Sequence, residues 1–140
     1  MMTAIQIEAP LRAHPRSALP AVARVQLGSS LLWMLAGLAI GLGMAASGDF
    51  TLRSVHTHVQ LLGWVTLCLT GLTYAVLPRA AEGALARWHV ALHNLGLPVM
   101  VAALAAYHSG VSSAEPFIAL GSIAAFAGLV AFALAVRRAL

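Results

Sequence analysis

The chain has no lysine, only four acidic residues and a single cysteine among 140 residues. Soluble proteins carry about a quarter of their residues as charges; here 9% are charged and 61% are hydrophobic. So little charge cannot cover a surface facing water, which excludes a soluble domain. The lone Cys68 lies inside an apolar stretch, so no disulfide framework is available. No C-x-x-C-H occurs, which removes ordinary covalent haem attachment and leaves non-covalent haem open. The acids Glu8, Asp49, Glu82 and Glu115 fall in the tail, the turns or the span ends. No serine or cysteine has a recognisable base and orienting acid, so nothing resembles a hydrolase site. The basic balance comes from eight arginines spread over loops and termini. Without a basic run interleaved with aromatics, there is no footprint for nucleic acid.

What the chain does have is apolar length. Crossing the hydrocarbon core takes roughly 20 apolar residues in a helix. Four stretches qualify: about Ala21 to Ala46, Ser54 to Leu77, Ala86 to Tyr107 and Pro116 to Val136. Short polar or breaker-rich turns separate them, at Ser47-Gly48-Asp49, Pro78 to Gly83 and Ser109 to Glu115. Residues 1–20, with Pro10, Pro15 and Pro20, are expected to form a flexible cytoplasmic tail before a four-helix transmembrane domain over 21–140. The first apolar stretch is too long and starts too late for a cleaved signal peptide. The expected fold is therefore an all-α integral membrane protein of four transmembrane helices, an oligomeric bundle in contact with lipid. Arginines set its orientation. Arg12, Arg16, Arg24, Arg79, Arg87, Arg137 and Arg138 lie on one side and Arg53 on the other. The positive-inside rule then places both termini in the cytoplasm of a bacterial-type cytoplasmic (inner) membrane.

Small-residue seams run along the spans: Gly37 and Gly41 in the first, Gly63 and Gly71 in the second, Gly121 and Gly128 in the fourth. They suit close helix packing or a dimer face, and equally the small neighbours that a flat cofactor needs.

The histidines are the informative feature, because ionisable groups inside a membrane are costly. The plain alternative is that each sits near a helix end, bonded to carbonyls or headgroups. His56 and His58 form an H-x-H at the outer end of the second span. Two positions on a helix lie about 200° apart, so the pair faces opposite ways and suits two sites rather than one compact ion. His89 and His93 are four apart near the inner end of the third span, the usual way a helix offers two imidazoles to one ion. His14 lies in the tail and is assigned nothing. If the second and third spans form a hairpin centred near Ala81, His56 lies level with His108, His89 with Tyr74 and His93 with Thr70. A first hairpin centred near Phe50 puts Met44 level with His56. An outer cluster of His56, His58, His108 and Met44 would then sit about 20 Å along the membrane normal from the inner pair. Such a cluster could supply bis-His or His/Met axial ligation to a haem.

The run His56-Thr57-His58-Val59-Gln60-Leu61-Leu62-Gly63-Trp64, continuing through Gly71, Tyr74 and Pro78, resembles helix segments of the catalytic subunit of the haem-copper oxidase superfamily. The likeness is to its C-type oxidases and bacterial nitric oxide reductases. Arg87-Trp88-His89-Val90-Ala91-Leu92-His93-Asn94, followed by Leu95-Gly96-Leu97, is similar to the following helix. The resemblance covers about Val55 to Pro98, under a third of the chain. It implies that His56 ligates an active-site haem and His58 an electron-transfer haem, one on each helix face. A second alignment, to a helix that opens with one ligand histidine, implies His56 alone. The helices that carry the family's copper ligands have no counterpart here, so the resemblance does not extend to dioxygen reduction.

The resemblance thus implies a small membrane protein that binds haem b, transfers electrons or binds a diatomic gas, and works with a redox partner in the respiratory chain. A homodimer would double each histidine and enlarge the volume that four spans can enclose. Arg53, one turn before the H-x-H, could pair with a haem propionate. Met34, Met44 and the indoles of Trp33, Trp64 and Trp88 could line the pocket, although tryptophans near span ends also serve as interfacial anchors. Two other readings stand beside it. One is a protein that handles copper or zinc, with His56, His58, His89 and His93 as its candidate ligands and the His89–His93 pair foremost, in transport or oxidase assembly. The other is a structural subunit of a respiratory complex whose histidines are only hydrogen-bonded.

Overall fold

A computed structural model describes residues 19–140. The tail expected over residues 1–20, with Arg12, His14 and Arg16, lies almost wholly outside the described residues. Four helices follow: α1 (Ala21–Ser47), α2 (Arg53–Val76), α3 (Gly83–His108) and α4 (Glu115–Ala139). All four are long and apolar enough to cross a membrane, and no strand occurs among the described residues. Their order follows from the turn chemistry. Gly48, at φ 70°, caps α1 by donating its N–H to the Met44 carbonyl, a left-handed conformation that glycine adopts without penalty. Asp49 then closes the loop, its Oδ1 accepting from the Thr51 amide at 2.9 Å and the Thr51 hydroxyl at 2.6 Å. Pro78–Ala81 forms one tight turn between α2 and α3, and Ser112–Ala114 another before α4.

The distribution of polarity is the reverse of a soluble fold. Leucines and other large apolar side chains stand on the outside, among them Leu32 (71% exposed), Leu42 (73%) and Phe126 (69%). Gln26, Ser30, Thr70, His89 and His93 are buried. With successive helices antiparallel, Arg24, Arg79, Arg87, Arg137 and Arg138 gather at one end of the bundle and Arg53 at the other.

The bundle is two tight hairpins, α1–α2 and α3–α4, laid against each other more loosely. Glycine makes each hairpin tight. A Cβ at Gly37 would come within 2.6 Å of Gln60, one at Gly41 within 2.9 Å of His56, and one at Gly63 within 2.7 Å of Trp33. In the other hairpin, a Cβ at Gly121 would lie 2.5 Å from the Met100 amide nitrogen and one at Gly128 3.0 Å from that of His93. The small-residue seams are therefore filled by packing within the chain. Between the hairpins the space is taken by rings: Tyr74 against His89 at 5.7 Å and Phe132 at 5.4 Å, and His89 against Phe132 at 5.1 Å.

The first hairpin corrects one expectation. His56 lies opposite Gly41 rather than Met44, about one turn deeper. The helix stops at Ser47 and the chain reverses at Gly48 and Asp49, ahead of the centre expected near Phe50.

Candidate functional site

The N-terminal part of α2 carries the H-x-H, and a π turn over Val59–Val65 joins it to the rest of the helix. His56 turns toward α1. Its Nδ1 lies 2.9 Å from the Gly37 carbonyl oxygen, so Nδ1 holds the proton and donates, which leaves Nε2 with its lone pair. His58 turns the other way and does the same locally, its Nδ1 donating to the Ser54 carbonyl at 2.8 Å. A backbone carbonyl on one ring nitrogen is how proteins orient a ligating imidazole and raise its basicity.

The surroundings of the two rings differ. His56 is wedged against the glycine seam of α1, with a would-be Gly41 Cβ only 2.9 Å from its Cε1. His58 lines a cavity of about 230 Å³ with Leu62 of α2, Met100 of α3 and Ser122, Ala125, Phe126 and Leu129 of α4. The exposed Phe126 forms its rim.

Deeper in the bundle lies a polar network that ties the two hairpins together. The Asn94 carboxamide donates to Gln26 Oε1 at 2.6 Å. Gln26 Nε2 donates in turn to His89 Nε2 at 3.2 Å and to the Thr70 hydroxyl at 3.3 Å, and the Thr70 hydroxyl donates to the Leu67 carbonyl at 3.2 Å. With Nε2 accepting, His89 is protonated on Nδ1, which donates to the Tyr74 oxygen at 2.9 Å. His93, one turn on, donates from Nε2 to the Leu62 carbonyl at 3.1 Å. Its Nδ1 is consequently an acceptor, buried without a partner among the described residues.

The structure sorts the candidate residues as follows. His89 meets Tyr74, as the hairpin depth requires, but His93 reaches Leu62 rather than Thr70. Both nitrogens of His89 are engaged and its ring stands perpendicular to that of His93 at 5.8 Å. The two imidazoles thus do not converge on one point, as ligation of a shared ion requires. The outer cluster is not assembled either. His56 and His58 point to opposite sides, and His108 is exposed at the end of α3 beside Tyr107 and Glu115. Among the described residues no three His, Cys, Asp or Glu side chains are grouped as metal ligands would be. Met44 is buried on α1, and the methionine that shares a cavity with a histidine is Met100. Arg53 is exposed, with its guanidinium 5.6 Å from the centre of the Phe50 ring.

Gln26, Thr70, Asn94 and Met100 take these places without standing out among the candidate residues of the sequence. Gln26 had a legible signal, since a carboxamide within an apolar span must find a buried partner. Met100 had none, being one more apolar residue until the fold brought α4 beside it.

Haem b is the group that the resemblance implies, and it can be tested against these residues. His58 Nε2 and the Met100 sulfur are donors that ligate haem iron, and the wall around them is apolar, so the donor chemistry fits. A ligand or cofactor pocket usually holds roughly 300–1,000 Å³, more than the 230 Å³ here. One chain therefore offers part of a pocket, open at Phe126. On the His56 face α1 and α2 touch through glycine and leave no room for a macrocycle. In comparisons with known proteins, no family model, no curated protein and no solved structure matches the chain.

Proposed function

We propose that the chain is a multi-pass protein of a bacterial-type cytoplasmic membrane, with both termini in the cytoplasm, that binds haem b at His58. It would be a small cytochrome akin to the haem-holding helices of the haem-copper oxidase superfamily. The observation that carries this reading is the setting of His58: Nδ1 committed to the Ser54 carbonyl, Nε2 free, and an apolar cavity shared with Met100. Membrane insertion is supported by the leucine-covered exterior, the buried polar interior and the arginines at the bundle ends. Haem b held there by His58, with Met100 beside it, would supply one-electron chemistry or a site for a diatomic gas.

The chain's own contributions are then plain. Ser54 fixes the tautomer of His58, and Leu62, Ala125 and Leu129 exclude water. Arg53, one turn outward, is placed to pair with a propionate at the membrane surface. A homodimer completes the reading, because a second copy would close the side of the cavity open at Phe126. Electrons would pass to or from a respiratory-chain partner. Copper or zinc on His89 and His93 is the weaker reading, since the Tyr74 and Gln26 bonds occupy the first ring.

The test is the absorption spectrum of detergent-purified protein, oxidised and dithionite-reduced, with a pyridine haemochrome assay. A Soret band with b-type α-bands is expected, lost in His58→Ala and kept in His56→Ala. Protein that stays colourless after haem is supplied during expression sinks the proposal.

A further inference from the structure

The π turn of α2 leaves one backbone group without a helical partner, and which one can be worked out. The Thr66 amide pairs with the Leu61 carbonyl, five residues back. From Thr66 onward the helix is α, so the Leu67 amide reaches four back, to Gly63. The Leu62 carbonyl is skipped. In a membrane interior no water can satisfy it, and an unpaired buried carbonyl costs about 1–3 kcal/mol. The side chain that reaches it is His93, whose Nε2 donates at 3.1 Å from the facing helix. His93 leaves its own Nδ1 buried and unpartnered to do so; among the described residues no ligand set gathers around it, so the Leu62 carbonyl is the contact that accounts for its position.

The π turn has a geometric consequence for the H-x-H. It absorbs one extra residue, so every position outward of it is turned by about 100° from where an unbroken α-helix would put it. Counted inward to Thr66, His58 occupies the place that Val59 would hold in an unbroken α-helix. The π turn is thus what aims His58 at the α3–α4 cavity and His56 at the α1 seam.

We infer that His93 is a positioning residue: by holding the skipped Leu62 carbonyl it pins the π turn and so sets which faces His56 and His58 present. The functional consequence rests on the haem reading, but the geometry does not, and the test avoids haem. The full chain, with Cys68→Ser, is expressed in membranes with one of two cysteine pairs, His58→Cys with Ser122→Cys or Val59→Cys with Ser122→Cys, and oxidised. With His93 intact, the 58–122 pair is expected to cross-link and the 59–122 pair not. His93→Leu should exchange the two, because the helix relaxes to α to recover the Leu62 carbonyl. His93→Gln, which keeps an N–H donor, should restore the first pattern. Deleting Leu61 in the His93→Leu background should also restore it, since an α-helix one residue shorter has no skipped carbonyl and keeps both facings. That rescue would not occur if His93 served only general packing, and it covers the case in which His93→Leu alone fails to fold. An unchanged 58–122 cross-link in His93→Leu overturns the inference, as does failure of the deletion to recover a lost one. If the chain with His58 intact stays colourless while the cross-links come out as expected, the haem reading alone is defeated.

Discussion

Replacing Gly121 by alanine adds one methyl group, yet it should be among the most damaging single changes available in this chain. Its Cβ would lie 2.5 Å from the Met100 amide nitrogen and 2.6 Å from the Gly96 carbonyl oxygen. Ordinary contact begins at 3.4 Å, so the methyl is 0.9 Å too close to backbone atoms that have no rotamer to change. The α3–α4 hairpin must part by nearly that distance. A gap of about 0.5–1 Å forfeits a quarter to a half of each dispersion contact along the seam, and overpacking costs about 1–3 kcal/mol; Gly121→Ala belongs at the upper end. Gly43→Ala is the matched control. Nothing lies within 4 Å of its Cβ, so it should gain about 0.5–1 kcal/mol by restricting the unfolded chain. Gly121→Ala shares that backbone gain, so the two alanines should differ by the overpacking cost, about 3 kcal/mol, in a reversible SDS titration in mixed micelles followed by circular dichroism. Equal stabilities, within about 0.5 kcal/mol, would refute glycine-mediated contact as the source of hairpin tightness.

Two further outcomes are expected. Gln26→Leu removes three interhelical hydrogen bonds, to Thr70 and His89 and from Asn94. At an average of about 0.6 kcal/mol each in a membrane protein, the same titration should register a loss near 2 kcal/mol, and no loss would mean that the network does not join the hairpins. Asp49 is held below the ordinary carboxylate range by the Thr51 hydroxyl and amide. Its contribution is therefore present above the unfolded carboxyl's pKa of about 4 and is lost as pH falls below it. Asp49→Asn should flatten that part of the acid dependence, and an unaltered profile would show that the Thr51 contact adds nothing to folding.

The four helices were legible because each apolar run matches the length a helix needs to cross hydrocarbon, and the turns because glycine, proline and aspartate punctuate them. The opposed facing of His56 and His58 followed from the pitch of a helix, and the Tyr74–His89 contact from counting residues away from a turn. Such counting failed where it met local irregularity. It set His56 level with Met44, because the hairpin was centred near Phe50 although Gly48 caps the helix and the chain reverses at Gly48 and Asp49. It could not foresee His93 meeting the Leu62 carbonyl, because the π turn beside that carbonyl has no sequence signature that a count of residues can register.

The composition alone decided that this chain buries its polar groups and exposes its leucines, since 9% charged residues cannot dress a water-facing surface. The spacing of histidines alone decided that no single site takes both members of the H-x-H. Only the tertiary structure decided which of these four histidines turns an unengaged nitrogen toward a cavity. The inner pair is bound up with Gln26, Tyr74 and the Leu62 carbonyl, and His56 is held under the glycine seam of α1. His58 alone of these opens with a free Nε2 onto a cavity. Availability of that kind depends on what a neighbouring helix brings within about 3 Å, and no spacing along one chain contains it.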